Sequence, residues 1–184
     1  MNNMIPIPTH LKNILVPKGE ENDEFFVTGE IVCECGNKEF DISYIGNYED
    51  GIVTLCEFEG VFYLAIKCEC KKCGKVHLIF DDNFHGWNGF VCSEENRFKG
   101  YENFPIDEFE KSWECPECSN QNHELVVSIS SEGKDDFISE LIENHDNPKF
   151  VEDDWVNGFS WITIGTKCTK CGHEDKDWIN YETM

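Results

Sequence analysis

Residues 115–118 read Cys-Pro-Glu-Cys, and residues 168–172 read Cys-Thr-Lys-Cys-Gly. The first half of the chain carries the same pattern in a related form, with Cys-Glu-Cys-Gly at residues 33–36 and Cys-Lys-Lys-Cys-Gly at residues 70–74. The corresponding pairs lie too far apart for a solenoid repeat of about 20–50 residues. We therefore interpret the chain as one unit that is used twice in tandem.

Cysteine pairs at this spacing favour a metal site. Structural Zn²⁺ takes four ligands in a tetrahedron, with Zn–S distances of about 2.3 Å. A Cys-x-x-Cys turn can place two thiolates on one metal because its backbone amides turn inward, and two such turns per half supply four sulfurs. We expect two structural zinc ions. The predicted ligands are Cys33, Cys35, Cys70 and Cys73 in the first half, and Cys115, Cys118, Cys168 and Cys171 in the second.

The four cysteine turns make the chain resemble the zinc-ribbon family, in which each turn leads into a β-hairpin. The first turn, Cys33-Glu34-Cys35, is one residue shorter than the family pattern. The resemblance implies a fold far more than a function, because its members include transcription factors, ribosomal proteins and adaptors. A redox-active dithiol is the alternative for any one pair, but it does not explain four pairs in register.

The segments between the cysteine pairs indicate strands, because branched and aromatic residues alternate with turns of Gly, Asn and Asp. Residues 135–145 differ, since their apolar residues recur at helical spacing. We predict a mainly β fold (small α+β) of two tandem zinc-ribbon-like antiparallel β units with one inserted helix. The predicted divisions are 1–24 for an N-terminal extension, 25–97 for the first unit and 98–184 for the second. The predicted strands are 25–32, 38–45, 52–58, 61–67, 75–81, 124–130, 159–167 and 176–181.

The charge balance limits the classes of function. The chain has 184 residues, with 37 Asp and Glu against 15 Lys and Arg, so its formal net charge is −22. A protein that grips phosphate backbones needs Lys and Arg, and Arg97 is the single arginine. A hydrophobic content of 40% is enough for a buried core, which argues against bulk disorder.

The sequence also predicts a cytoplasmic location. No stretch approaches the roughly 18 apolar residues of a membrane span, and the N-terminus has no signal-peptide pattern. In the cytosol, clustered cysteines more often bind metal than form disulfides. Alanine occurs once while Asn, Ile, Lys and Phe are abundant, which is typical of an AT-rich bacterial genome.

Three cysteines fall outside the paired pattern. Cys68 shares one face of its predicted strand with Phe62, Leu64 and Ile66, so we expect it in the core, with a role as replacement ligand for the short first turn as the alternative. Cys56 and Cys92 are most simply small buried residues.

The segment 80–90 combines carboxylates, a histidine and several aromatics at the end of a predicted strand. One interpretation is a catalytic loop built on Asp81, Asp82 and His85. The more ordinary interpretation is a turn whose aromatic residues, among them Trp87, cover the sheet edge or bridge the two units.

Charge runs and missing motifs shape the predicted function. The chain carries no phosphate loop, nucleophile elbow, His-Glu-x-x-His or dinucleotide fingerprint, so we expect no enzyme.

Acidic runs at 20–24 and 152–154 are either solvated surface or a docking site for a basic protein. We therefore expect a zinc-binding protein with a basic protein partner, for example a bacterial immunity or antitoxin protein that blocks a nuclease. The alternatives are a nucleic-acid-associated adaptor using Lys67, Lys71 and Lys72, and the enzyme loop above.

Overall fold

Antiparallel strands are the main regular elements of the structure, as the sequence predicts. The computed structural model describes residues 5–91, 103–144 and 152–183. Within these ranges one nine-stranded sheet is accompanied by two separate two-stranded hairpins. The strands are β1 Leu15–Pro17, β2 Phe26–Ile31, β3 Phe40–Ile45, β4 Asn47–Glu49, β5 Ile52–Thr54, β6 Cys56–Phe58, β7 Val61–Tyr63, β8 Ala65–Cys70, β9 Val76–Asp81, β10 Glu110–Ser112, β11 Asn122–Ser130, β12 Trp161–Cys168 and β13 Glu174–Glu182.

The described helices are few and short. The α-helices are α1 Gly86–Val91, α2 Ile106–Phe109 and α3 Lys134–Asn144, and 3₁₀ turns occupy Thr9–Leu11 and Glu152–Asn157. Helix α3 lies between the two cysteine pairs of the second half and matches the predicted insertion. The predicted fold class is therefore confirmed.

The two halves of the chain build the same three-stranded arrangement. Strands pair in the order β3-β8-β9 in the first half and β11-β12-β13 in the second. Phe40 of β3 lies opposite Cys70, and His123 of β11 lies opposite Cys168. The pairing register shifts after Ile66 in β8 and after Ile164 in β12, each four residues before the cysteine that ends the strand. The two units therefore share register and bulge position.

In each half, the strand that precedes the first cysteine pair is paired with a strand of the other half. Strand β2 pairs with β11, and β10 pairs with β3. Between these pairings β3 and β11 meet directly, with Phe40 opposite His123. This reciprocal exchange joins both halves in one sheet. The predicted boundary between residues 97 and 98 lies outside the described residues.

The main apolar core combines side chains from both halves. Phe80 of β9 has its ring centroid 5.5 Å from that of Tyr181 in β13, and Tyr44 of β3 lies 5.7 Å from Trp178. Strands β9 and β13 are separated in the sheet by four others, so these contacts show that the sheet curls around its core. Cys68 is buried in this core, as predicted.

A smaller apolar cluster covers the end of β3 and β8. It contains Ile45, Ala65 and Phe104, packed by residues of the β6–β7 hairpin and helix α2. Cys56 belongs to this cluster, as predicted for a small buried residue. The other residue of this kind, Cys92, lies outside the described residues.

Several local expectations differ from the structure. The predicted strands 52–58 and 61–67 are each divided in two, because β5 pairs with β4 and β7 pairs with β6. The expectation that Phe62 shares the buried face of Leu64 is wrong, since Phe62 is 52% exposed. The break between β7 and β8 at Leu64 interrupts the alternation there.

Candidate metal centres

The first four predicted ligands form one cluster. Cys33 Sγ lies 3.5 Å from Cys73 Sγ, and Cys35 Sγ lies 3.6 Å from Cys70 Sγ. All four sulfurs lie within 4.8 Å of one another. The cysteines come from the turns that follow β2 and β8, so the pairing of β3 with β8 brings the two turns together. We call this cluster the first centre.

The second four predicted ligands repeat this geometry. The distance between Cys115 Sγ and Cys171 Sγ is 3.5 Å, and that between Cys118 Sγ and Cys168 Sγ is 3.6 Å. These sulfurs also lie within 4.8 Å of one another. The turns after β10 and β12 supply them, and the pairing of β11 with β12 brings the turns together. We call this cluster the second centre.

The shortened first turn is closed by a hydrogen bond that spans one residue fewer than the corresponding bond of the second centre. The N–H of Gly36 donates to the carbonyl of Cys33, three residues earlier, at 2.7 Å. In the second centre the N–H of Ser119 donates to the carbonyl of Cys115, four residues earlier, at 2.8 Å. Gly36 and Ser119 both have positive φ, at 82° and 55°. The missing residue is therefore accommodated inside the turn, and the sulfur–sulfur spacings of the two centres still match.

The turns after β8 and β12 are closed in matching ways. The N–H of Gly74 donates to the carbonyl of Cys70 at 2.8 Å, and that of Gly172 to the carbonyl of Cys168 at 3.0 Å. Both glycines adopt positive φ, at 71° and 76°, a region in which a side chain is strained. This is the physical reason that glycine follows the second cysteine pair in each half.

Amide donors stabilise one thiolate in each centre. Asn37 Nδ2 lies 3.4 Å from Cys70 Sγ, and Asn120 Nδ2 lies 3.5 Å from Cys168 Sγ. Burial acts to raise the pKa of Cys70, but the N–H groups of Cys73 and Lys72, together with Asn37, bring it down to about 6. The same balance, with two backbone N–H groups and Asn120, lowers the pKa of Cys168 to about 5. These donors therefore favour the thiolate form of both sulfurs.

The first cysteine of each half behaves in the opposite way. Burial, together with hydrogen bonds to neighbouring cysteine sulfurs, raises the pKa of Cys33 to about 12. The pKa of Cys115 is also raised to about 12, again chiefly by burial. A cation bound at either centre therefore has to displace protons that these thiols otherwise hold.

The donor set fits a thiophilic cation with tetrahedral preference. Four sulfurs placed 2.3 Å from a common centre in a tetrahedron are about 3.8 Å apart, close to the spacings of 3.5 and 3.6 Å found here. Each centre can therefore hold one metal ion. Four protein ligands complete a tetrahedral shell, which is typical of a structural site with no position for a substrate or water.

Cys68 lies behind the first centre and outside its ligand set. It is buried, and the four-sulfur cluster includes Cys35 instead. Burial raises the pKa of its thiol, with further contributions from Cys33 and Cys70. Of the two predicted roles, core packing matches its position.

One histidine contacts a metal-centre sulfur. His77 Nε2 lies 3.3 Å from Cys33 Sγ, and the buried ring packs edge-on against Phe40. Burial lowers the pKa of His77. The sequence assigns no role to His77, because a residue on the far strand of a hairpin shows no spacing signal.

The two carboxylates of the candidate catalytic loop are buried and accept hydrogen bonds from the preceding segment. The Tyr63 hydroxyl donates to Asp81 Oδ2 at 2.7 Å, and the Leu64 N–H donates to Asp82 Oδ1 at 3.2 Å. His85 Nδ1 accepts the N–H of Asp81 at 3.1 Å. Asp81, Asp82 and His85 thus all take part in hydrogen bonds at the end of β9.

One aromatic residue of this segment, Trp87, bridges the two halves. Trp87 packs edge-on against Phe137 of α3, with ring centroids 5.6 Å apart. Its backbone N–H donates to the carbonyl of Phe159 at 2.8 Å. Residues 86–91 form helix α1 where a turn was expected. The bridging role nevertheless agrees with the more ordinary interpretation of the sequence.

A pair of stacked histidines was missed in the sequence. The rings of His10 and His85 are 3.6 Å apart and nearly parallel, and His10 Nε2 donates to the carbonyl of Ile79 at 3.0 Å. Burial lowers the pKa of His10 to about 4. Burial, with a contribution from His10, lowers that of His85 to about 3. Both rings are therefore neutral near pH 7.

The lysines around the first centre are engaged in ion pairs. Lys71 Nζ lies 2.6 Å from Asp41, and Lys67 Nζ lies 3.4 Å from Glu110. Lys75 pairs with Glu34, the middle residue of the shortened turn. These acids largely neutralise Lys67, Lys71 and Lys75, whereas Lys72, the remaining lysine of the adaptor alternative, is exposed.

Comparison with known proteins finds no matching family model, no matching curated protein and no matching solved structure. The zinc-ribbon likeness therefore rests on the cysteine turns and their geometry alone. Across the described ranges, the helices are too short or too polar to cross a membrane.

Proposed function

We propose that this chain is a non-enzymatic protein that binds two structural Zn²⁺ ions and uses an acidic surface to bind a basic protein partner. The observation that carries the zinc assignment is the pair of four-cysteine clusters with matching sulfur spacings. Thiolate ligands select soft or borderline ions, and four of them around a d¹⁰ ion suit a tetrahedron. A metal bound in this way contributes directly to folding free energy.

The acidic surface that we propose lies where two loops meet. The N–H of Ser131 donates to the carbonyl of Phe25 at 2.8 Å, and a Cβ at Gly133 would lie 2.6 Å from the Phe25 ring, so the end of the 20–24 run approaches the start of residues 132–136. The exposed acids of this acidic end are Glu20, Glu21, Asp23, Glu24, Glu132, Asp135 and Asp136. Phe25, which is 49% exposed, stands among them.

The chemistry of this end favours a basic protein partner. Several carboxylates around one apolar side chain provide electrostatic steering and an anchor for a partner with the opposite pattern. A bacterial immunity or antitoxin protein that blocks a basic nuclease is one form that such a partnership takes. A protein partner is preferred to nucleic acid because two of the three lysines of the adaptor alternative, Lys67 and Lys71, already pair with carboxylates.

A non-enzymatic role is preferred because the candidate catalytic carboxylates are buried and already hydrogen-bonded within the protein. Asp81 and Asp82 are buried and accept hydrogen bonds from Tyr63 and from the backbone. The four-sulfur centres also leave no open position for catalysis by a bound ion.

Native mass spectrometry of the protein purified without added metal tests the zinc assignment. We expect two zinc ions per chain, together with a lower melting temperature after removal of the metal by a chelator. A metal-free chain that melts at the same temperature with and without zinc would overturn the assignment.

The partner proposal is tested by co-purification from the source cells at low and high salt. We expect a basic protein that is retained at low ionic strength and released as salt screens the acidic end. Replacing Glu20, Glu21 and Glu24 with Gln should weaken that retention, whereas replacing the exposed Glu57 and Glu59 of the β6–β7 hairpin should not. Equal retention by both variants would contradict the proposed surface.

A further inference from the structure

The two metal centres differ in the hydrogen bonds that reach their first cysteine. In the second centre the N–H groups of Glu117 and Cys118, two and three residues onward, point at Cys115 Sγ. In the first centre the N–H of Cys35, two residues onward, points at Cys33 Sγ. The N–H of Cys118 is shared, because it also lies 3.4 Å from the Cys115 carbonyl oxygen, whereas the N–H three residues onward in the first centre, that of Gly36, is bonded to the Cys33 carbonyl oxygen at 2.7 Å. Cys33 Sγ therefore has one backbone donor fewer than Cys115 Sγ.

A side chain approaches Cys33 in the half that carries this short turn. His77 Nε2 lies 3.3 Å from Cys33 Sγ, and with its proton on Nε2 the ring is a donor. The ring is buried and held edge-on by Phe40, with centroids 6.2 Å apart. It therefore has a defined orientation toward the sulfur.

The second half has no histidine at the equivalent position. His77 lies opposite Cys68 in β8, and the matching position opposite Thr166 in β12 is Asp175. An ionised carboxylate accepts hydrogen bonds and donates none. The half with the short turn thus has a side-chain donor at this position, and the half with the full-length turn has none there.

We propose that His77 is a positioning residue of the first centre: it donates a hydrogen bond to the Cys33 thiolate of the zinc-loaded protein and replaces the backbone donor that the short turn lacks. This inference rests on the zinc binding proposed above. A donor of this kind draws charge from the sulfur and fixes its orientation. Loss of such a partner typically weakens metal binding by about 10–100-fold. The first centre therefore depends on a side chain that the second does not need.

The test compares H77L with H77Q in the full-length, zinc-loaded protein. These side chains are similar in length, but only Gln carries an N–H donor. Each variant is mixed with a chelator, and the released thiols are alkylated at intervals and assigned to their centre by peptide mass spectrometry. We expect first-centre thiols to be alkylated about 10-fold faster in H77L than in the wild type. H77Q should stay near the wild-type rate, and the second centre should be unaffected.

Two further variants sharpen this comparison. D175L alters the equivalent position of the second half and should leave alkylation at both centres within about twofold of the wild type. Inserting a proline between Cys33 and Glu34 in the H77L background reproduces the Cys-Pro-Glu-Cys turn of residues 115–118. This insertion restores the missing backbone donor and should slow first-centre alkylation again.

The possible outcomes separate this proposal from the assignment of zinc. A wild-type chain without zinc refutes the assignment itself. With zinc bound, the role of His77 as a donor would be overturned if first-centre thiols of H77L were alkylated at the wild-type rate. It would also be overturned if alkylation were accelerated equally in H77L and H77Q, or if both variants failed to fold. If H77L fails to fold while H77Q folds and retains two zinc ions, a side-chain N–H donor is required at position 77. This outcome supports the proposal.

Discussion

At the scale of single residues, the environment decides what each titratable group does. Cys70 and Cys33 belong to one cluster, yet N–H donors hold the first pKa near 6 while burial raises the second to about 12. His10 and His85 are outside both cysteine clusters and are kept neutral by burial. The same physical effect, removal from water, thus raises the pKa of a thiol and lowers that of an imidazole.

The stacked histidines predict a loss of stability in acid. Because the folded-state pKa of His10 is about 4, against 6.5 when exposed, the unfolded chain binds more protons between these values. His10 therefore stabilises the fold fully above pH 6.5, and this contribution is lost as pH falls toward 4. For His10 alone the loss at pH 5 is about 2 kcal/mol.

Urea unfolding of the wild type and of H10F at pH 7.5 and pH 5 measures this effect. Phe keeps a stacking ring but cannot be protonated, so H10F should lose less stability on acidification than the wild type. Acid also weakens metal binding to thiolates, and both proteins share that loss, so the difference between them isolates the histidine. Equal losses in the two proteins would contradict the prediction.

At the scale of elements, close backbone approach fixes where the first strand lies. A Cβ at Gly29 of β2 would come 2.4 Å from the carbonyl oxygen of Val16 in β1. The pairing of β1 with β2 therefore requires glycine at this position. Pro17 ends β1 and removes one of its donors, which suits a short edge strand.

G29A should detach β1 and leave the rest of the sheet in place. We expect a destabilisation of about 1–3 kcal/mol, the usual cost of a steric clash that the backbone must relieve. Amide hydrogen exchange should accelerate at Lys18, whose N–H donates to Thr28. Amides of β8 in the same sample serve as the internal control. Equal protection of Lys18 in both proteins would contradict the proposed clash.

The elements that could be predicted from the sequence are those with a strong local pattern. Strands β2, β3, β9 and β11 alternate or carry branched residues, and α3 has helical spacing over three turns. Strands β1 and β10 have only three residues each, too few for a period to be visible. The ligand cysteines were predictable because their spacing reflects the geometry of one ion.

At the scale of the whole molecule, the exchange of strands between halves could not be read from the sequence. Periodicity indicates that β2 is a strand, but it does not identify the partner of β2, and β10 shows no period at all. Nothing local distinguishes pairing within one half from pairing across the two. The stacked histidines were missed for the same reason, since 75 residues separate them in the chain.

The shared sheet and core predict that the two halves unfold together. Trp178 of the second half is fully buried and packs 5.7 Å from Tyr44 of the first half and 5.0 Å from Trp113. W178A should therefore cost about 3–5 kcal/mol, the usual range for a buried aromatic. Because the core is common, amides of β3 and β8 in the first half should lose protection together with those of β12. W161A offers a matched control, since Trp161 lies in the same half but is 37% exposed, and its effect should be much smaller. If W178A reduced protection in the second half alone, the halves would be independent folding units, and the reciprocal strand pairing would contribute little to cooperativity.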